Sequence, residues 1–204
     1  MNIREYQVPF LVIVAVLALL VASPVLSRLL VYPRTEFFTE LWLLGPGHMA
    51  EEYPYNVTRG MNYTVFLGVG DRLGYCGYYR VEVKFRNQSQ PVPESFGPLG
   101  NRSSSGLPSL YSIVAFVGDE LVWETPLTFS FDYSYNEGLG QVEFSSLTLN
   151  GSVLDLSGYV SGWNATRSEF YGNLFFETWI YNGTTESFQY HERFVGLRFN
   201  MTLS

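Results

Sequence analysis

Hydrophobic and polar positions divide this chain into two unlike parts. From Val8 to Val21 nearly every residue is apolar, and no charge occurs between Glu5 and Arg28. At about 1.5 Å per residue the uncharged run makes a helix of roughly 33 Å, enough for a hydrocarbon core about 30 Å thick. Such a span has to pass through Pro24, which bilayer helices tolerate with a kink when the freed backbone groups find other partners. A cleaved secretory signal is the competing reading, with Arg4 as a basic leader and Ala22, Ser23 and Ser27 as small residues for cleavage. The length of the run favours a retained anchor, with residues 8–31 in membrane lipid. The chain then divides into a cytoplasmic stub and anchor, 1–33, and an ectodomain, 34–204.

Beyond the anchor the hydrophobic period drops to two. Tyr79 to Arg86 is the clearest case: its odd positions are apolar and its even positions, from Arg80, are charged, the signature of a half-buried antiparallel strand. Leu127 to Tyr135 alternates likewise, with an aromatic inner face. Further strands are expected at Glu36–Leu44, Tyr53–Thr58, Asn62–Val69, Leu110–Val117, Leu121–Glu124, Gln141–Leu149, Val153–Leu156, Glu186–Tyr190 and Phe194–Met201. Leu174–Tyr181 is apolar on both faces and so belongs in the middle of a sheet. Asn87 to Ser109, with Pro91, Pro93, Pro98 and Pro108 and several glycines, reads as a long exposed loop, either a partner-contacting or mobile segment or a disordered one. Many short strands with no helical pattern between them predict a mainly β fold: one transmembrane helix, then an immunoglobulin-like antiparallel β-sandwich.

Asparagine placement adds a location. Asn-x-Ser/Thr occurs at Asn56, Asn62, Asn87, Asn101, Asn150, Asn164, Asn182 and Asn200, none with proline between. Only Asn136 and Asn173 lie outside the pattern after the anchor, whereas chance would put about two of the ten in acceptor sites. Asn150-Gly151 and Asn182-Gly183 are also hairpin signals. On the strand period, Asn62 opposes an inward set of Tyr63, Val65, Leu67 and Val69, and Asn200 opposes Val195, Leu197, Phe199 and Met201. The expectation is an extracellular C-terminal domain carrying N-linked glycans, on a single-pass protein of the cell membrane.

Composition narrows the chemistry. A net charge of −7 with one lysine, Lys84, argues against nucleic-acid binding. Cys76 is the only cysteine, which excludes an intrachain disulfide and a cysteine metal site. It reads as a small buried hydrophobe, with a covalent dimer as the other option. His48 and His191 are the only histidines. If the strand continues through His191-Glu192-Arg193, His191 and Arg193 share a face and Glu192 points away, so no His–carboxylate dyad forms. There is no Gly-x-Ser-x-Gly elbow and no phosphate loop. Asp132, Glu137, Glu143, Asp155, Glu169 and Glu177 are too dispersed to nominate a glycosidase pair. Trp163 and Trp179 suit a sugar platform, but aromatics in a sandwich are usually core. No catalytic, cofactor or metal site is expected.

Several stretches together resemble a known family. Tyr53-Pro54 with Asn56 and Gly60, Pro108-Ser109-Leu110-Tyr111, and Leu121-Val122-Trp123-Glu124 leading to Pro126-Leu127-Thr128-Phe129 are similar to the archaeal membrane-protein family called domain of unknown function 1616. So are Phe176-Glu177, Trp179, Tyr181-Asn182, Phe188-Gln189-Tyr190-His191, Arg193-Phe194 and Asn200-Met201-Thr202. The resemblance implies an archaeal, membrane-attached protein and supplies no activity. The functional expectation is a non-enzymatic surface glycoprotein that binds another envelope protein or serves as an accessory subunit of an envelope or membrane complex. The alternatives are a filament or surface-layer subunit adding Glu36–Leu44 to a neighbour's sheet, and a carbohydrate-binding or carbohydrate-cleaving module.

Overall fold

The computed structural model describes residues 3–29, 37–94 and 100–203, and within the helix the side chains of residues 9–21 and 23. The chain divides into two units, Met1–Phe37 and Phe38–Ser204. The expected boundary between residues 33 and 34, like the start of the first expected strand at Glu36, lies outside the described residues. In the first unit, helix α1 (Ile3–Leu29) runs through both Pro9 and Pro24. Its described apolar side chains are exposed. Among the described residues no helix is long and apolar enough to cross a membrane.

The second unit is mainly β. Its strands are β1 (Phe38–Leu44), β2 (Asn56–Val57), β3 (Tyr63–Arg72), β4 (Gly77–Arg86), β5 (Tyr111–Val117), β6 (Val122–Asn136), β7 (Gln141–Leu149), β8 (Ser152–Asp155), β9 (Val160–Asn164), β10 (Glu169–Asn182) and β11 (Ser187–Met201). They form one curled, hydrogen-bonded sheet in the order β1-β3-β6-β7-β9-β10-β11-β2, with β8 branching from β7 and β4-β5 from β10. All pairings are antiparallel except β2 with β11, which is parallel. The curl brings two halves face to face. Phe85 of β4 meets Phe131 of β6 at 5.6 Å, and Phe129 of β6 meets Phe199 of β11 at 5.3 Å. The core between them is built from the inward set of each strand, such as Val65, Leu67 and Val69, or Leu127, Phe129, Phe131 and Tyr133.

Four segments differ from the pattern-based expectation, each for a local reason. Leu121–Glu124 and Leu127–Tyr135 are one strand, because Pro126 is carried inside β6 opposite Phe66. The two expected strands at the C-terminus are also one, β11, which accommodates His191 and Glu192 as a bulge between Tyr190 and Arg193. Tyr53–Thr58 supplies only the two residues of β2. Strand β9 has no counterpart in the expected set; Gly158, Ser161 and Gly162 read as turn residues, yet β9 pairs with both β7 and β10 and joins the two halves. The Asn150-Gly151 hairpin forms as its residue types dictate, with φ of 47° and 83°.

Cys76 is exposed, not a buried hydrophobe. It projects from the turn between β3 and β4, whose two ends are tied to one buried carboxylate. Asp71 accepts hydrogen bonds from the Leu73 and Gly77 amides, both at 2.8 Å.

Candidate functional site

The outer face of the β5-β4-β10-β11 half gathers aromatic and charged side chains. On β4 the residues opposite the core are Tyr78, Arg80, Glu82, Lys84 and Arg86, the polar set that the period-two pattern places outside. Register sets Trp179 beside Arg80 and Glu177 beside Glu82 on β10, while Tyr181 pairs with Phe188 on β11.

Two zones result. At one end lies an aromatic strip. Phe116 of β5 stacks on Tyr78 at 4.1 Å with the rings 9° from parallel. Tyr78 then meets Phe188 at 5.1 Å and Tyr181 at 6.0 Å. The Arg80 guanidinium lies 4.5 Å from the centre of Phe188 and 5.5 Å from that of Trp179, a cation–π arrangement. Phe116 is 72% exposed and Val114 beside it 53%. At the other end the face is closed. Lys84 donates to Glu177 at 2.6 Å with both side chains buried, and Glu82 stands 3.4 Å from the same ammonium. The second Glu177 oxygen accepts the Ser105 amide at 2.8 Å. Part of the long loop expected to be exposed is therefore folded down: Ser105 is buried, and the Gly100 amide reaches Glu192 at 2.6 Å.

A second polar cluster forms where β1 meets the β11 bulge. His191 Nε2 is 2.7 Å from the Thr39 hydroxyl, which is 3.0 Å from the Tyr79 hydroxyl. Arg193 donates to the Thr39 carbonyl at 3.3 Å. Glu192 turns the other way, to the loop amides of Gly100 and Arg102, so no His–carboxylate pair exists within the bulge. Burial, then the Arg193 charge, push the His191 pKa below its ordinary range, against opposing pulls from Asp71 and Glu192. Burial likewise pushes Tyr79 and Tyr190 up.

Apart from Glu137, the dispersed carboxylates each have a structural partner, Glu177 in the Lys84 pair above. Glu169 is buried against Arg198 and accepts the Tyr55 hydroxyl at 2.7 Å. Asp132 pairs with Arg59 at 2.6 Å, Glu143 accepts from Asn136 and Gln141, and Asp155 accepts the Ser157 amide. An open hollow of about 490 Å³ beside Arg59 and Tyr133 has Glu137 as the one carboxylate among its described lining residues. Among the described residues no group of His, Cys, Asp and Glu could hold a metal ion. Trp163 is exposed and Trp179 half-buried under Arg80, so the two do not form a row.

None of the eight acceptor asparagines is buried. Asn56, Asn62, Asn101 and Asn150 are exposed, and Asn87, Asn164, Asn182 and Asn200 are half-buried. Asn62 precedes β3 instead of lying within it. Asn200 is braced by its neighbours, donating to Asn56 at 2.9 Å and accepting the Phe170 amide at 3.0 Å. The aromatic strip was not nominated from the sequence. Its signal was the outward apolar set of β5, Val114 and Phe116, on a strand whose inward set is already apolar. No family model matches the chain, and no curated protein matches it.

Proposed function

We propose that the protein is a membrane-anchored, N-glycosylated cell-surface module that works by contact and not by catalysis, presenting its β-domain to another protein of the envelope. The observation that carries this reading is the aromatic strip on the sheet face, in which Phe116 and Tyr181 are exposed, Tyr78, Phe188 and Arg80 are half-buried, and the far end of the face is closed by a sealed ion pair. Exposed aromatics next to an arginine are the composition of binding hot spots. The anchor rests on α1, whose uncharged stretch between Glu5 and Arg28 is apolar on all sides. Eight unburied acceptor asparagines support an exterior location. An immunoglobulin-like plan is supported by two facing antiparallel halves over an aromatic core; the joining strand β9 is an addition to it. Kinship with the domain of unknown function 1616 family belongs to the same proposal.

Affinity purification of the full-length protein from native membranes in mild detergent tests the reading. A stoichiometric assembly is expected. Repeated recovery as a lone monomer with nothing attached would overturn it.

A further inference from the structure

We propose that β5 is the seam of a symmetric homodimer, in which two copies pair their β5 strands antiparallel about Val114. This rests on the contact-module reading above and names the partner as a second copy of this chain.

The argument begins with how sheet margins are protected. An unpaired margin offers a row of amide and carbonyl groups, and proteins blunt it with short strands, charges, bulges or covering segments. The other margins described here have such devices. On β1 the Thr39 carbonyl is occupied by Arg193. Strand β8 is four residues long and ends in Asp155, and β2 is two residues long. The margin of β11 is bent by its bulge and lined by Arg193 and Arg198. Strand β5 has none. It is seven residues, Tyr-Ser-Ile-Val-Ala-Phe-Val, without charge, proline or bulge, and it pairs only with β4. It also lies in the longest stretch of the ectodomain free of acceptor asparagines, between Asn101 and Asn150.

The strand is self-complementary. With Val114 opposite its own counterpart, Ile113 faces Ala115, Ser112 faces Phe116 and Tyr111 faces Val117. Odd positions meet odd and even meet even, so the pleat is preserved across the seam. The exposed Val114 and Phe116 side chains of both copies gather on the outer face, next to the Phe116–Tyr78 stack. The inner set of Ile113, Ala115 and Val117 prolongs the core side. A two-fold axis closes the contact, so the product is a dimer and not a fibre.

Disulfide trapping of the full-length chain in mild detergent decides the matter. Cys76→Ser first removes the exposed native thiol. Directly opposed antiparallel residues have Cα atoms about 4.5–5.5 Å apart, within reach of a disulfide. Val114→Cys should therefore cross-link under mild oxidation. Ser112→Cys should not, because its counterpart is displaced by about four residues, or ~13 Å. Ser112→Cys with Phe116→Cys in one chain should cross-link again. By sedimentation the wild type is expected at twice the chain mass and Val114→Lys, which sets two lysines on the axis, at half that. If Val114→Lys loses its β-type circular dichroism, the trapping result alone decides. A dimer that Val114→Cys fails to trap overturns the β5 seam and leaves the contact reading intact. A single chain bound to a different protein overturns the second copy as partner and also leaves that reading intact. A monomer with nothing bound overturns both.

Discussion

Lys84 and Glu177 show what a single buried charge demands. Each is almost fully enclosed and each is the other's counter-ion at 2.6 Å. Removing one partner strands the other, at about 3–5 kcal/mol. Lys84→Met is expected to lose that much in urea unfolding. The double variant Lys84→Met with Glu177→Gln, which keeps an acceptor for the Ser105 amide, should recover more than half of it. Strictly additive losses would show that the two groups are not coupled. His191 makes a different prediction, one of pH. Its folded pKa lies below the ordinary value, so the folded protein takes up fewer protons than the unfolded chain as pH falls through about 6.5. The stability held above that pH is lost on acidification, until the folded pKa itself is passed. The urea midpoint should drop between about pH 7.5 and about pH 5, and drop less in His191→Gln. Equal slopes in the two proteins would remove His191 as the cause.

Strands are the scale at which side chains constrain neighbouring backbones. Trp42 of β1 lies across Gly68 of β3, its register partner, and a methyl added at Gly68 would fall within the indole. Gly68→Ala is expected to cost about 1–3 kcal/mol through overpacking and to shift tryptophan emission. Trp42→Ala in the same chain should relieve most of the added cost, and failure to do so would place the clash elsewhere. This scale also marks how far the sequence could be read. The alternation in β4, the two-sided apolar run of β10 and the aromatic inner face of β6 were legible because each is a period within one segment. The fusion of strands across Pro126 and across His191-Glu192 was not, since those residues signal breaks locally and are overruled by pairing to distant partners. Strand β9 was hidden for the same reason. In the aromatic strip, the outward position of Tyr78 and Arg80 could be read, but not that Phe116 and Phe188 lie against them. The loop amide on Glu177 depends on a contact 72 residues away in the chain, beyond any local pattern.

For the whole molecule, the proposed exterior location predicts a mass. Protein taken from native membranes should exceed its polypeptide mass of 23.2 kDa by discrete glycan increments, and replacing Asn62 or Asn101, both exposed, should remove one increment each. An unmodified mass throughout would refute the glycan proposal, and with it the main support for placing the domain outside.

Lysine usage has a practical corollary. Lys84 is the only lysine in the sequence, and its ammonium is shut between Glu177 and Glu82. The folded domain therefore offers no ε-amine to the surroundings. Succinimide esters and enzymes that modify lysine should pass over this side chain, and surface carboxylates and the exposed Cys76 thiol remain as handles for tagging the folded domain.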